Sequence, residues 1–179
     1  MAAFFIFWKF KMVVTDYYSE ETISGIKITV IVSSSGIKKI IFNLPKHDKE
    51  LLKATKLRPD DPYLFETFKQ LNEYFAGSRK KFDLPVDIEG TEFQKKVWNE
   101  VKKIPYGKTK SYKSIAEKLG DVKAIRAVGK ANGQNPVPII IPCHRVIGSD
   151  GTLTGYAGGL EIKEKLLEIE GSISLELFE

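Results

Sequence analysis

The sequence predicts an α+β protein: a small antiparallel sheet with one helix in the first half, then a mostly helical second half containing a helix-turn-helix. Three observations carry this. Two β-branched runs flank a Ser/Gly turn near the N-terminus, apolar residues recur at helical intervals over 63–76, and short capped amphipathic segments follow one another after Pro85. At 179 residues, 42% of them hydrophobic, the chain suffices for one ordinary domain or two small ones sharing an interface.

The elements follow in order. The opening stretch from Met1 to Trp8 is apolar but too short to cross a bilayer, and Lys9 and Lys11 follow it rather than precede it, so it lacks the layout of a signal peptide. With Met12 close behind, residues 1–11 read as an upstream extension. Ile23 to Val32 and Ile37 to Leu44 flank Ser33-Ser34-Ser35-Gly36 as an antiparallel hairpin. A polar connector with Pro45, Pro59 and Pro62 comes next. Leu64, Phe68, Leu71 and Phe75 then mark a helix, with Gly77 placed to end it.

The chain changes character after Leu84-Pro85-Val86, which divides it into residues 1–88 and 89–179. Thr91 is an N-cap with Gln94 three residues on, and Phe93, Val97, Val101 and Ile104 form a stripe assigned to core and broken by Pro105. Ser111 caps a second helix that turns Ile115, Ala116 and Leu119 inward and stops at Gly120. Asp121 caps a third, short helix with Ala124, Ile125, Ala127 and Val128. Two short helices joined by a tight turn make a helix-turn-helix, whose second member usually meets DNA. The last helix, residues 159–170, buries Ile162, Leu166, Leu167 and Ile169 and ends at Gly171.

Composition narrows the chemistry. One cysteine excludes an intrachain disulfide and a multi-cysteine metal site, and His47 and His144 are too far apart in sequence to supply a zinc site. A formal charge of +5 suits a polyanionic partner, and its distribution says more. Between Lys102 and Lys130 nine basic residues face only Glu117 and Asp121, a net +7 in one short region that includes the predicted helix-turn-helix. No nucleotide loop or external methyl-donor motif is present. With no export segment or membrane span, an intracellular, reducing setting is expected, which suits a reactive thiol.

That thiol is Cys143, set between Pro142 and His144 after the apolar run Val137 to Ile141. Pro142 prevents a helix from continuing, so the backbone turns there and presents the cysteine at the end of a buried segment. A lone cysteine is commonly a small buried hydrophobe. Adjacent imidazole and guanidinium groups instead favour a nucleophile, which needs positive or proton-accepting neighbours to become thiolate.

The block Asn135-Pro136-Val137-Pro138 through Pro142-Cys143-His144-Arg145-Val146 resembles the active-site motif of the O6-alkylguanine-DNA alkyltransferases. Phe93-Gln94, Val97-Trp98, Ile104 to Thr109, Ser111-Tyr112, Arg126 to Gly129 and Gly155 to Leu160 follow in the family's order, so the likeness covers about residues 91–171. The resemblance implies a ribonuclease-H-like N-terminal structural domain over 1–88, without that fold's catalytic metal site. It implies a winged-helix-like C-terminal domain for DNA binding and alkyl transfer over 89–179. Some relatives hold a structural zinc in the N-terminal part, and this sequence lacks its ligands. The implied activity is repair of double-stranded DNA: one irreversible transfer of the alkyl group from O6-alkylguanine, and less so O4-alkylthymine, to Cys143. The expectation is further that no cofactor is needed and that the protein acts as a monomer, in the cytoplasm or, for a eukaryotic source, the nucleus.

By the same resemblance, His144 accepts the thiol proton through a water and Glu170 orients it. Arg126 is the finger that replaces the flipped base, with the small Ala127 beside it letting the helix press into the minor groove. Tyr112 crowds the adjoining phosphate and, with the Ala157 N–H, donates to guanine O6. Many relatives have serine at the Ala157 position, but a backbone donor survives that replacement. Ser111 belongs to the same DNA-contacting motif. Asn135 pins the loop, Arg145 and Tyr156 shape the pocket, and the Cys143 and Val146 carbonyls accept from the guanine amino group. Gly158, with Gly159, leaves room for the alkyl group, and Lys163 adds charge near the pocket. Two alternatives stay open: a helix-turn-helix protein that senses lesions without transfer, and a cysteine hydrolase built on Cys143 and His144.

Overall fold

In the computed structural model, which describes residues 16–44 and 51–173, the β-branched runs form a sheet of four strands in the order β3-β2-β1-β4. These are β1 (Tyr17–Ile23), β2 (Ile26–Ser33), β3 (Gly36–Phe42) and β4 (Thr55–Lys56); β2 is antiparallel to both β1 and β3, and β4 runs parallel to β1. The hairpin across the Ser/Gly turn is present. The strand expected to run unbroken from Ile23 to Val32 is not, because Ser24 and Gly25 take φ of 49° and 79° and form a tight two-residue turn that splits off β1. As the strand between two neighbours, β2 is buried almost throughout, including Ile28, Thr29, Val30, Ile31 and Val32, which hides the period-two pattern in its sequence. Residues 1–11, Met12 and His47, singled out from the sequence, lie outside the described residues.

Helix α1 (Phe65–Phe75) turns Phe68, Leu71, Tyr74 and Phe75 inward and packs on β1; Gly77, at φ 73°, ends it. The chain then crosses to its second half along the free edge of β3. Ile37 N–H donates to Pro85 O at 2.9 Å and Asp87 N–H to Ile37 O at 2.8 Å. Only glycine fits at 36, since its φ is +146° and a Cβ there would lie 2.6 Å from Pro85 O.

The second half opens with α2 (Glu92–Lys102). Thr91 Oγ1 accepts from Gln94 N–H at 3.2 Å while Gln94 Oε1 accepts from Thr91 N–H at 2.7 Å, a complete capping box. Val97, Trp98, Val101 and Ile104 are buried, and Trp98 Nε1 donates to Ala131 O at 2.8 Å. Phe93, assigned to core, is 37% exposed. At about 100° per residue the buried stripe centres on Val97, Trp98 and Val101, and Phe93 falls at its edge.

Strand β5 (Lys110–Ser111) leads into α3 (Tyr112–Lys118), where Ser111 Oγ accepts from Ser114 N–H at 3.0 Å. Asp121 caps a single 3₁₀ turn, Val122–Ala124, rather than the third helix itself. That helix, α4, spans Ile125–Gly133 and outlasts the short one expected. Strand β6 (Val146–Ile147) pairs with β5 in parallel, and α5 (Leu160–Ile169) buries Ile162, Leu166 and Leu167, with Ile169 half-buried. A single apolar cluster joins the halves, running from Ile28, Leu71 and Tyr74 through Val101 and Ile139 to Leu166.

Candidate active site

The loop after α4 is held at several points before it reaches Cys143. Asn135 is buried and uses both ends of its amide: Oδ1 accepts from Val137 N–H at 3.1 Å and Nδ2 donates to Ile141 O at 2.7 Å. Pro136 O accepts from Ile40 N–H on β3 at 2.9 Å, and Asn132 Nδ2 donates to Cys143 O at 3.2 Å. Ile139 sits at φ 73° in a fully packed position. A left-handed β-branched residue costs about 1–2 kcal/mol, so surrounding contacts over-determine this bend. Beyond Pro142 the chain makes one 3₁₀ turn, Cys143–Arg145, and all three side chains are buried.

Cys143 lines a cavity of about 290 Å³. Its walls come from three places: Asn132 to Pro136 and Pro138 at the end of α4, Gly155 to Gly158 in the loop before α5, and Lys39 to Phe42 of β3. The rings of Phe42 and Tyr156 stand 6.2 Å apart, and a Cβ on Gly158 would come within 2.8 Å of Phe42. Glycine at 158 is thus what lets the loop close against the sheet. The size lies at the lower end of small-molecule cavities, which run roughly 300–1,000 Å³.

Behind the thiol lies a buried ionic cluster centred on Glu170, the C-cap residue of α5. Its Oε1 is 2.8 Å from His144 Nε2 and accepts from Tyr74 Oη at 2.7 Å and Arg145 Nη2 at 2.9 Å. Its Oε2 accepts from Arg145 Nε at 2.8 Å and Gly107 N–H at 3.2 Å. Burial alone would raise the carboxyl pKa, but the bonds from His144 and Arg145 outweigh it and hold Glu170 at about 2. A carboxylate of that kind accepts a hydrogen bond from His144 Nε2–H, so the neutral imidazole carries its hydrogen on Nε2 and leaves Nδ1, which has no protein partner, as its basic atom. Burial pushes the His144 pKa down despite Glu170, and burial pushes the Cys143 thiol up despite Asn135, Tyr156 and Lys163. Cysteine and histidine therefore rest as a neutral pair.

Lys163, fully buried, donates to Val146 O at 2.8 Å and to Thr154 O at 3.0 Å. Burial depresses its pKa to about 8, and the neighbouring Cys143 opposes that shift. Conversely, its charge favours thiolate. The Tyr156 hydroxyl is buried beside the sulfur, and burial followed by Cys143 keeps it protonated.

The structure therefore brings Cys143, Asn135, Tyr156, Ala157 and Gly158 to one cavity, with His144, Glu170 and Lys163 behind it. Arg145, expected to shape the pocket, points the other way. Its guanidinium binds Glu170 and donates from Nη1 to Ile104 O at 2.6 Å, because a buried cation takes the nearest carboxylate and carbonyl. Val146 does not line the cavity, and its carbonyl already serves Lys163. Tyr112 is also outside the wall, half-buried at the start of α3 with its ring 5.9 Å from Lys163 Nζ. Ser111 is the cap of that helix, and Arg126 and Ala127 are exposed on α4 beside the exposed Lys123 and Lys130.

The sequence reading missed Tyr74, Asn132, the Gly107 amide and the β3 wall. Tyr74 lies within the inward stripe of α1 and reads as one more packed aromatic. Its hydroxyl was the only signal, since a buried tyrosine usually finds a polar partner.

Comparison with known proteins agrees with this geometry. Residues 27–88 match the family model described as the ribonuclease-like domain of 6-O-methylguanine DNA methyltransferase, and residues 92–172 match its DNA binding domain. The chain is 51% identical over 137 residues to the methylated-DNA--protein-cysteine methyltransferase of Methanosarcina acetivorans, covering 76% of this chain and 86% of that one. It is 43% identical over 162 residues to the inducible enzyme of that name from Bacillus subtilis, covering 90% and 88%. The crystal structure of Mycobacterium tuberculosis O6-methylguanine methyltransferase superimposes with a TM-score of 0.81 at 39% identity, covering 92% of this chain and all of that one. That of M. tuberculosis OGT in complex with DNA gives 0.78 at 41%, covering 87% and 93%. With both halves matched in order and relatives aligned over most of their length, the chain belongs to the methylated-DNA--protein-cysteine methyltransferase family.

Proposed function

We propose that this protein repairs double-stranded DNA by moving the alkyl group of O6-alkylguanine onto Cys143, once per molecule. The observation that carries this reading is the position of the chain's only thiol: it lines a cavity of nucleobase size, with the His144–Glu170 pair behind it and the basic helix-turn-helix in the same half of the chain. The M. tuberculosis relative bound to DNA supports the partner.

The target carbon is held in the base stack, so the nucleotide must first leave the duplex at a cost of a few kcal/mol. Arg126 enters the gap and Ala127 lets α4 approach closely, with Tyr112 and Ser111 at the adjoining phosphate. Within the cavity Cys143 gives up its proton, through a water, to His144 Nδ1, and Glu170 stabilises the imidazolium. Sulfur attacks the alkyl carbon as its bond to O6 breaks, and the bonding pair leaves with guanine. The Ala157 N–H and the Tyr112 hydroxyl favour that charge, and the proton held by His144 passes on through water to neutralise the released guanine, returning the imidazole to its neutral form. The guanine amino group is assigned to the Cys143 and Val146 carbonyls, and it has to share Cys143 O with Asn132 Nδ2 and the Val146 N–H, and Val146 O with Lys163 Nζ. The thioether has a poor leaving group and no residue here hydrolyses it, so the protein is consumed. With the domains assigned to residues 1–88 and 89–179, the described part of the first forms the sheet side of this arrangement and that of the second carries the thiol and the DNA face. No described helix is long and apolar enough to cross a membrane; a monomer in a reducing cytoplasm is the setting proposed.

Two outcomes test the DNA surface. Arg126→Ala should slow transfer from duplex DNA about tenfold or more while leaving transfer from free O6-benzylguanine unchanged, because only the duplex needs a base held out. Equal loss on both substrates would remove the finger assignment. Duplex affinity should fall more than tenfold between roughly 50 and 200 mM salt as lysine-bound phosphates regain counterions. A flat salt titration would place the DNA elsewhere.

A further inference from the structure

We propose that Tyr74, on α1 of the N-terminal half, is a positioning residue of the transfer site: it shares Glu170 with His144 and so sets how strongly that carboxylate draws on the imidazole. The inference rests on the alkyl-transfer reading and goes beyond it, since it gives the N-terminal half a part in the proton step.

Tyr74 is fully buried, and its hydroxyl donates to Glu170 Oε1 at 2.7 Å across 96 residues of sequence. The same oxygen stands 3.4 Å from His144 Nε2. Because its own hydrogen points to Glu170, it offers His144 only a lone pair, which suits Nε2–H and disfavours a bare Nε2. Tyr74 thus supports the tautomer that leaves Nδ1 to receive the Cys143 proton. It also competes for the carboxylate. Each donor that satisfies Oε1 weakens its pull on the Nε2–H, so the imidazole is less basic than it would be against a carboxylate shared with fewer donors. Burial and the charge of Glu170 raise the phenol pKa, so Tyr74 keeps its hydrogen and acts as donor across the working range.

The charged and titratable groups facing His144 are Glu170 and Lys163 from the α5 region, Arg145 and Cys143 from its own turn, and Tyr74 from α1. Of these, Tyr74 alone can be altered by a single oxygen with the ion pair left in place. Tyr106, also near the cluster, spends its hydroxyl on Ile169 O at 2.8 Å.

The test compares the full-length protein with Tyr74→Phe and with 3-fluorotyrosine placed at 74, a stronger donor of nearly the same shape. Transfer from O6-benzylguanine is timed against pH in single turnover, and the ring nitrogens of His144 are followed by NMR, with His47→Gln removing the other histidine. Removing the donor should move the acid limb of the rate and the His144 midpoint up together by about half a unit, and the fluorinated ring should move both down. A residue that only fills space would give no such opposite pair. Profiles that superimpose on the wild type, with unchanged tautomer, would overturn the assignment even if Tyr74→Phe melts lower. Failure of the wild type to take up the benzyl group would overturn the alkyl-transfer reading itself, and the role with it. If Tyr74→Phe does not fold, the fluorinated variant decides alone by the direction of its shift.

Discussion

Cys143→Ala is expected to abolish alkyl transfer outright while duplex affinity stays within about twofold, since phosphate contacts on the lysine-bearing face supply most of the binding. The chain holds no second cysteine that could substitute. Serine is not a replacement either: its hydroxyl is far less acidic than a thiol, and the 4%-exposed site already disfavours an anion. Intact mass after incubation with DNA containing O6-methylguanine reads the outcome, with one methyl gained by the wild type on the peptide holding Cys143 and none by the variant. A variant that still clears the lesion would move the nucleophile elsewhere. The resting state predicts a second property of the same residue. With the thiol raised and the imidazole lowered, the pair is neutral until substrate arrives, so the proton moves during attack and no standing thiolate awaits generic electrophiles.

Much of this was legible in the residues, and the pattern of what was not is physical. The capping box at Thr91, the Ser111 cap and the glycine stops at 77 and 171 are local devices, each closed within a few residues, so their spacing declares them. The β1–β2 turn was lost because β1, Tyr17–Ile23, is largely polar and only its last two residues are β-branched, so Ser24-Gly25 did not stand out as a break between two strands. In the site, Cys143, His144 and Glu170 were marked by motif, yet the direction of Arg145 was not. A guanidinium beside a nucleophile reads as pocket chemistry, whereas here three of its N–H donors go to the buried Glu170 carboxylate and to Ile104 O. Tyr74 and the Lys39 to Phe42 wall come from contacts across most of the chain, which no local periodicity encodes.

Glu170→Ala should be the most destabilising single change at the site. The carboxylate receives bonds from His144, Tyr74, Arg145 and the Gly107 amide, and its removal leaves a 7%-exposed guanidinium without a counter-charge. Breaking one side of a buried pair costs about 3–5 kcal/mol. In a chain of this size that lowers Tm by roughly 10 °C or more. Transfer should slow at least a hundredfold, because His144 loses both its orientation and the charge that stabilises its protonated form. Glu170→Gln separates charge from shape. The folded carboxyl lies at about 2 against an ordinary 4.5, a depressed value, so its contribution is complete above about pH 4.5 and is lost as pH falls toward 2. That gap corresponds to on the order of 3 kcal/mol, which the glutamine variant lacks throughout. Denaturant titrations at neutral pH and near pH 3 should therefore show the wild type converging on Glu170→Gln in acid. Parallel curves, separated equally at both pH values, would show that the cluster stabilises the fold by packing and not by the charge on Glu170.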